Sequence, residues 1–142
     1  MQINKFTDYG FRVLIYLARQ QECTHTIASL AKQLHLSQNH LVKIVHFMAK
    51  QQWLITSRGK GGGIRLAEST LDLPLGEMLR TFQGNEPLVN CVSPKCGLQA
   101  QCQLKHLLDN ALEQFYQNLN QYPLRKVISN HSQDRINFIS YL

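Results

Sequence analysis

The chain has 142 residues, of which 44% are hydrophobic and 17% charged, and a formal net charge of +6. That length and apolar content suit one domain with a buried core and exclude a disordered polyelectrolyte. The longest apolar patch, Val13–Ala18, is far too short to cross a bilayer and no leader-like segment stands at the start, so a soluble, cytoplasmic protein is expected.

The charge is uneven. Residues 1–66 carry nine cations, Lys5, Arg12, Arg19, Lys32, Lys43, Lys50, Arg58, Lys60 and Arg65, against Asp8 and Glu22, a net +7 that leaves −1 for the remainder. A polyanion-binding surface is expected in the first half, although a basic face kept for solubility would show the same count.

From Thr7 to about Gln20, Phe11, Leu14, Ile15 and Ala18 recur at helical spacing and predict a first helix with those residues inward. A second is expected over Thr26–Leu34, with Thr26 as N-cap and Ile27, Leu30, Ala31 and Leu34 inward. After His35 and Leu36, Ser37 suits the N-cap of a third helix to about Gln51. Its inward stripe is Leu41, Ile44, Val45 and Met48, and Gln38, Asn39, His40, Lys43, His46 and Lys50 are left outward. Three short helices with tight turns, the third opening on hydrogen-bonding side chains, describe a helix-turn-helix. Asn and Gln can offer a donor and an acceptor together to adenine, and lysines reach phosphates or guanine edges. Gln38, Asn39, His40 and Lys43 are therefore candidate DNA contacts, though on this helix alone a polar solvent face reads equally well.

The next segment tips the balance. Trp53–Ser57 and Ile64–Leu66 are β-prone runs around RGKGGG, whose glycines suit a hairpin with positive φ. A basic hairpin directly after a helix-turn-helix is a wing, and Arg58, Lys60 and Arg65 would enter a flanking minor groove or hold phosphates. The glycines do not make a nucleotide loop, since neither G-x-x-x-x-G-K-S/T nor G-x-G-x-x-G is present. Pro74 then opens a fourth helix through about Phe82.

Three of the four cysteines fall within CVSPKCGLQAQC, at Cys91, Cys96 and Cys102, while Cys23 lies far off. In a reducing compartment clustered thiols point to metal or redox chemistry rather than disulfides. Gaps of four and five residues are wide for zinc knuckles but let a loop wrap a larger inorganic core, so an iron–sulfur cluster is the better fit. Lys95 and a helix N-terminus at Cys102 would favour the thiolates and an anionic cluster.

From Gln103 to about Leu119 a long amphipathic helix is predicted, with Leu104, Leu108, Ala111, Leu112, Phe115 and Leu119 on one face and Leu107 beside it. The same helix of a second subunit would cover that stripe in a two-fold dimer; packing back on the winged-helix core is the alternative. Pro123 restarts the chain, and Leu124, Val127 and Ile128 suggest a short last helix before a polar tail. The expected fold is mainly α: a winged helix-turn-helix unit at 1–82, a cysteine loop at 83–102, and a dimerisation helix with a short helix and tail at 103–142.

Together these segments resemble the bacterial iron–sulfur winged-helix regulators, the family that includes NsrR and IscR. The likeness spans almost the whole chain and rests on FTDYG at 6–10, SQNHLVKI at 37–44, RGKGGGIRLA at 58–67, LVNC at 88–91 and the two further cysteines. The resemblance implies a repressor that binds double-stranded operator DNA as a homodimer and is released when nitric oxide attacks the cluster. The C-x4-C-x5-C spacing and the LVNC lead-in are more similar to the NsrR-like branch. In IscR-like chains the first gap is longer and a histidine ligand follows the third cysteine by three residues; that position is Lys105 here. His106 lies one residue further on, so that ligand is not carried over. The NsrR-like pattern implies instead Asp8 as an oxygen ligand donated across the dimer, with Arg12, one turn on, steadying it, and a 4Fe–4S cluster ahead of 2Fe–2S.

Other readings are a redox or cluster-supply sensor, a zinc regulator using Cys91, Cys96, Cys102 and His106, and an electron-transfer protein, which would need neither a basic half nor a recognition helix. An enzyme is not expected: no nucleophile–base set stands out, and His25, His35, His40, His46, His106 and His131 are scattered.

Overall fold

The computed structural model describes residues 2–128, so His131 and the expected polar tail lie outside the described residues. Helix α1 runs Lys5–Arg19, beginning two residues ahead of the expectation because the Asn4 side chain accepts the Thr7 N–H at 2.8 Å. Its buried face is Thr7, Gly10, Val13, Leu14, Leu17 and Ala18. Phe11 and Ile15, expected inward, are only half-buried. The helix is turned so that Gly10 meets the Phe82 ring, where an added Cβ would lie 2.5 Å from two ring carbons. A glycine contributes nothing to an apolar stripe, so periodicity alone places the face one residue off.

Helix α2, Ile27–Leu34, carries the expected Thr26 cap as a full capping box with Ser29. Leu30 alone is fully buried; Ile27, Ala31 and Leu34 edge the core. His35 adopts φ 54° and ends the helix, and Ser37 accepts the His40 N–H at 3.3 Å to start α3, Gln38–Lys50. All four residues expected inward on α3 are buried.

Strands β1, Leu54–Ser57, and β2, Gly63–Leu66, pair antiparallel from Leu54–Leu66 to Ser57–Gly63. The His25 backbone adds a bridge to Ile64, with N···O distances of 2.9 and 2.7 Å, which ties the wing base to the α1–α2 connection. Trp53 precedes the strand and is buried instead, 5.1 Å from Phe82, which also stacks on Phe47 at 5.4 Å. Aromatic side chains bury the largest areas per residue, so this cluster, joined by Phe6, anchors α4 to α1 and α3.

A 3₁₀ turn, Glu68–Asp72, leads to α4, Leu75–Gln83, followed by the cysteine loop, α5, Gln103–Leu119, and α6, Leu124–Ile128. The lower half of α5 packs back on α4 through Tyr116, which no stripe expectation included. Leu104, Leu107 and Phe115 remain exposed, at 59%, 65% and 36%. The long helix thus buries Tyr116 against α4 and leaves Leu104 and Leu107 uncovered. No helix among the described residues is long and apolar enough to cross a membrane.

Candidate nucleic-acid interface and cysteine loop

Burial of one face of α3 leaves the opposite one to solvent: Gln38, Asn39, His40, Lys43, His46 and Lys50 are all exposed. The N-cap on Ser37 fixes how the first turn leaves the core, and so where Gln38 to His40 point. The wing carries Arg58, Lys60 and Arg65, also exposed, around a tip where Gly59 and Gly61 hold φ 95° and 82°. An L side chain is strained at those angles, so the tip can be this tight only with glycine. Among the described residues, Lys43, Arg58, Lys60 and Arg65 have no carboxylate within ion-pair distance. Such unpaired cations are free to replace counterions on a phosphate backbone.

Two residues that the sequence reasoning did not place at this surface lie against it. Lys5 and Tyr9 of α1, with Phe6, His40, Lys43 and Ile44, line a hollow of about 260 Å³ between α1 and the start of α3. Tyr9 and His40 rings are 6.0 Å apart, and the Arg12 guanidinium lies 5.7 Å from the Tyr9 ring. Arg12 in turn holds Asp8 through two hydrogen bonds, Nε to Oδ1 at 3.0 Å and Nη2 to Oδ2 at 2.8 Å. The bond to Asp8 raises the Arg12 pKa further above its ordinary value. The signal for Lys5 and Tyr9 was present in the basic, aromatic opening of α1, but only packing shows which helix they face.

In the cysteine loop Cys91, Cys96 and Cys102 are half-buried and not joined by disulfides. The loop folds on itself locally: Asn90 Oδ1 accepts the N–H groups of Val92 and Ser93 at 3.0 and 3.1 Å, and Cys96 N–H donates to the Cys91 carbonyl at 3.2 Å. Cys102 is the N-cap residue of α5 and its side chain makes no capping bond, so the unsatisfied N–H groups of that turn are available to favour an anion. A hollow of about 390 Å³ opens beside Lys95, Cys96, Gly97, Gln99 and Ala100.

The loop brings the thiols onto one segment without converging them. Among the described residues no three His, Cys, Asp or Glu side chains stand close enough together to hold a metal ion. Asp8 is engaged by Arg12 rather than by a cysteine, and His106 is exposed. The donor chemistry, three unpaired thiols on one short loop, nevertheless suits an iron–sulfur cluster. Cys23, in the α1–α2 connection, is exposed and belongs to neither surface.

Between loop and reading unit lies a polar joint. Arg80 of α4 donates to Glu113 of α5 at 2.6 Å and sits 4.4 Å over the Tyr116 ring. Gln117 also donates to Glu113, and these two bonds, Gln117's first, hold that carboxylate below the usual glutamate range. Lys105 pairs with Asp109 on the same helix. Residues Gly84 to Pro87, which lead into the cysteine loop, line a cleft of about 340 Å³ against this joint. The two Arg80 contacts could not be assigned from spacing, because each joins two helices across more than thirty residues, whereas Lys105–Asp109 and Glu113–Gln117 are i, i+4 pairs on one helix.

Comparison with known proteins gives concordant matches. Residues 3–130 match the Rrf2 family, described as an iron-dependent transcriptional regulator. The chain is 34% identical over 138 residues to the HTH-type transcriptional regulator NsrR of Oceanobacillus iheyensis, covering 94% of this chain and 93% of that protein. Among solved structures, CymR of Staphylococcus aureus superposes with a TM-score of 0.72 at 18% identity, covering 92% of this chain and 100% of that one. T. potens IscR superposes with a TM-score of 0.71 at 19% identity, covering 99% of this chain and 97% of that one. At such identities the two structures establish a shared fold.

Proposed function

The chain belongs to the Rrf2 family of transcriptional regulators, and on that premise we propose that it is a cytoplasmic, homodimeric repressor that binds operator DNA and leaves it when nitric oxide attacks an iron–sulfur cluster. The observation that carries the reading is the set of three unpaired, half-buried thiols, Cys91, Cys96 and Cys102, the last at the uncapped start of α5. Similarity to NsrR over nearly the full chain supports it.

Cys91, Cys96 and Cys102 would hold the cluster, 4Fe–4S ahead of 2Fe–2S, with Asp8 reaching across from the second subunit. Bound there, the cluster would supply iron atoms that a diatomic gas can attack, most readily at the one whose ligand is a carboxylate rather than a thiolate. The exposed Leu104, Leu107 and Phe115 face of α5 would pack against its copy in the dimer and bring the two cysteine loops near the two α1 helices.

A route from that ligand to DNA would run through contacts within the protein. When Asp8 leaves Arg12, the guanidinium loses its carboxylate partner and its place beside Tyr9. Tyr9 in turn rests on His40, in the first turn of the reading helix. The two ends of this chain of contacts need share only about 1–3 kcal/mol for operator affinity to change about 5- to 150-fold. Gln38, Asn39 and His40 would read base edges, while Lys43, Arg58, Lys60 and Arg65 would bind phosphate or enter the adjoining minor groove.

The test is anaerobic reconstitution with iron and sulfide, followed by nitric-oxide titration against promoter DNA. Coloured protein that grips DNA, and lets go as nitric oxide bleaches it, is expected. Equal grip by reconstituted and stripped protein would refute the reading, as would a colourless zinc-loaded form that binds DNA and ignores nitric oxide.

A further inference from the structure

Resting on the DNA-binding reading, we propose that Val42 recognises the C5-methyl group of a thymine in the major groove, adding an apolar contact to the polar reading face of α3. Val42 is 53% exposed, whereas the four residues that α3 buries are at most 7% exposed. It stands one turn after Gln38 and one turn before His46, both exposed, so it lies on the outward face of α3 between two hydrogen-bonding groups. It is not among the residues that pack on the core.

Folding does not account for it. A β-branched side chain lowers helix propensity relative to Ala, Lys, Gln or Glu, which an exposed helix position ordinarily favours. Recognition does account for it. The thymine methyl is an apolar mark on the major-groove edge, and aliphatic side chains contact it. Gln38 and Asn39 beside it are suited to adenine, so one A·T-containing stretch would satisfy all three. The flanking Lys43 and Lys50 favour a polyanion over an apolar protein partner on this face.

The experiment uses the full chain, reconstituted anaerobically, to select duplexes from a random-sequence library. Each thymine of the selected duplex is then replaced by deoxyuridine, in both half-sites together, and binding is measured by fluorescence anisotropy. One thymine is expected whose methyl removal weakens binding about four-fold per half-site, the effect of withdrawing one methyl from apolar contact. Val42→Ser should weaken binding to the selected duplex by a similar factor and make that deoxyuridine replacement neutral. Its circular dichroism and melting temperature should match those of the unaltered chain, since the side chain is exposed. If every deoxyuridine replacement acts equally on the unaltered chain and on Val42→Ser, or acts on neither, the assignment of Val42 is overturned and the DNA-binding reading stands. Selection that enriches no shared sequence overturns that reading and Val42 with it.

Discussion

Replacing Gly76 by alanine tests the joint between the reading unit and the long helix. Gly76 is buried in the first turn of α4 where α5 crosses it. On either side, the Leu75 N–H donates to the Tyr122 carbonyl at 2.9 Å and the Glu77 N–H to Asn120 Oδ1 at 2.8 Å. The end of α5 therefore caps the start of α4. A Cβ on residue 76 would stand 3.0 Å from Asn120 Cγ and closer still to its Oδ1 and to the Tyr116 carbonyl oxygen. Two effects of opposite sign compete. Alanine gains up to ~1 kcal/mol of helix propensity over glycine. Against that, displacing the Asn120 cap costs about 1 kcal/mol, and forcing a methyl group into a closed contact about 1–3 kcal/mol more. The clash wins by about 2 kcal/mol, which for a chain of this size lowers Tm by ~6–8 °C. Thermal unfolding followed by circular dichroism measures it. Gly97→Ala is the control, since an added Cβ there meets nothing within 4 Å, and its stability should change by less than about 0.5 kcal/mol. A Gly76→Ala chain that melts at the same temperature as the unaltered one, or above it, would show that α4 and α5 do not cross at this glycine.

Three further outcomes are expected. Cys91→Ala, Cys96→Ala and Cys102→Ala should each abolish iron and sulfide retention and cluster-dependent repression while leaving the winged-helix core folded; nitric-oxide-sensitive DNA binding in any one of them removes that residue from the ligand set. Lys60→Ala should weaken binding to all sequences and flatten its salt dependence by roughly one unit, whereas Asn39→Ala should relax sequence choice, and equal loss on operator and random DNA would take Asn39 out of the base-reading set. Glu113 is held below the usual glutamate range by Gln117 and then Arg80, so its contribution to stability is present above that range and lost as pH falls through its folded value. Glu113→Gln should accordingly make the loss of stability shallower as pH falls through and below the usual glutamate range; an unchanged profile would mean that the α4–α5 tie does not sense this carboxylate.

The elements most legible beforehand were those governed by neighbours in the chain. Thr26 and Ser37 are caps because a hydroxyl can reach only the N–H groups two or three residues on. The inward stripe of α3 was read in full because its apolar residues are large and regularly spaced. The stripe of α1 was misjudged where its inward face includes Thr7 and Gly10, which carry no hydrophobic signal. On α5, seven apolar residues drew attention to one face, while Tyr116, the residue the helix buries, lies on the other side of Phe115 and binds through Arg80.

Chain order and residue type alone determined that this protein is basic at its front, that a helix-turn-helix with a glycine-rich wing occupies that part, and that three thiols share one loop. Each of these follows from local periodicity, charge or spacing, which survive without knowledge of what packs where. Only the tertiary structure decided that α4 is capped by the end of α5, that Tyr9 of α1 comes against His40 of α3, and that Arg80 of α4 meets Glu113 and Tyr116 of α5. These depend on which faces of distant helices meet, and that is set by the summed burial of the aromatic cluster and the close approach at Gly10 and Gly76 rather than by any one segment.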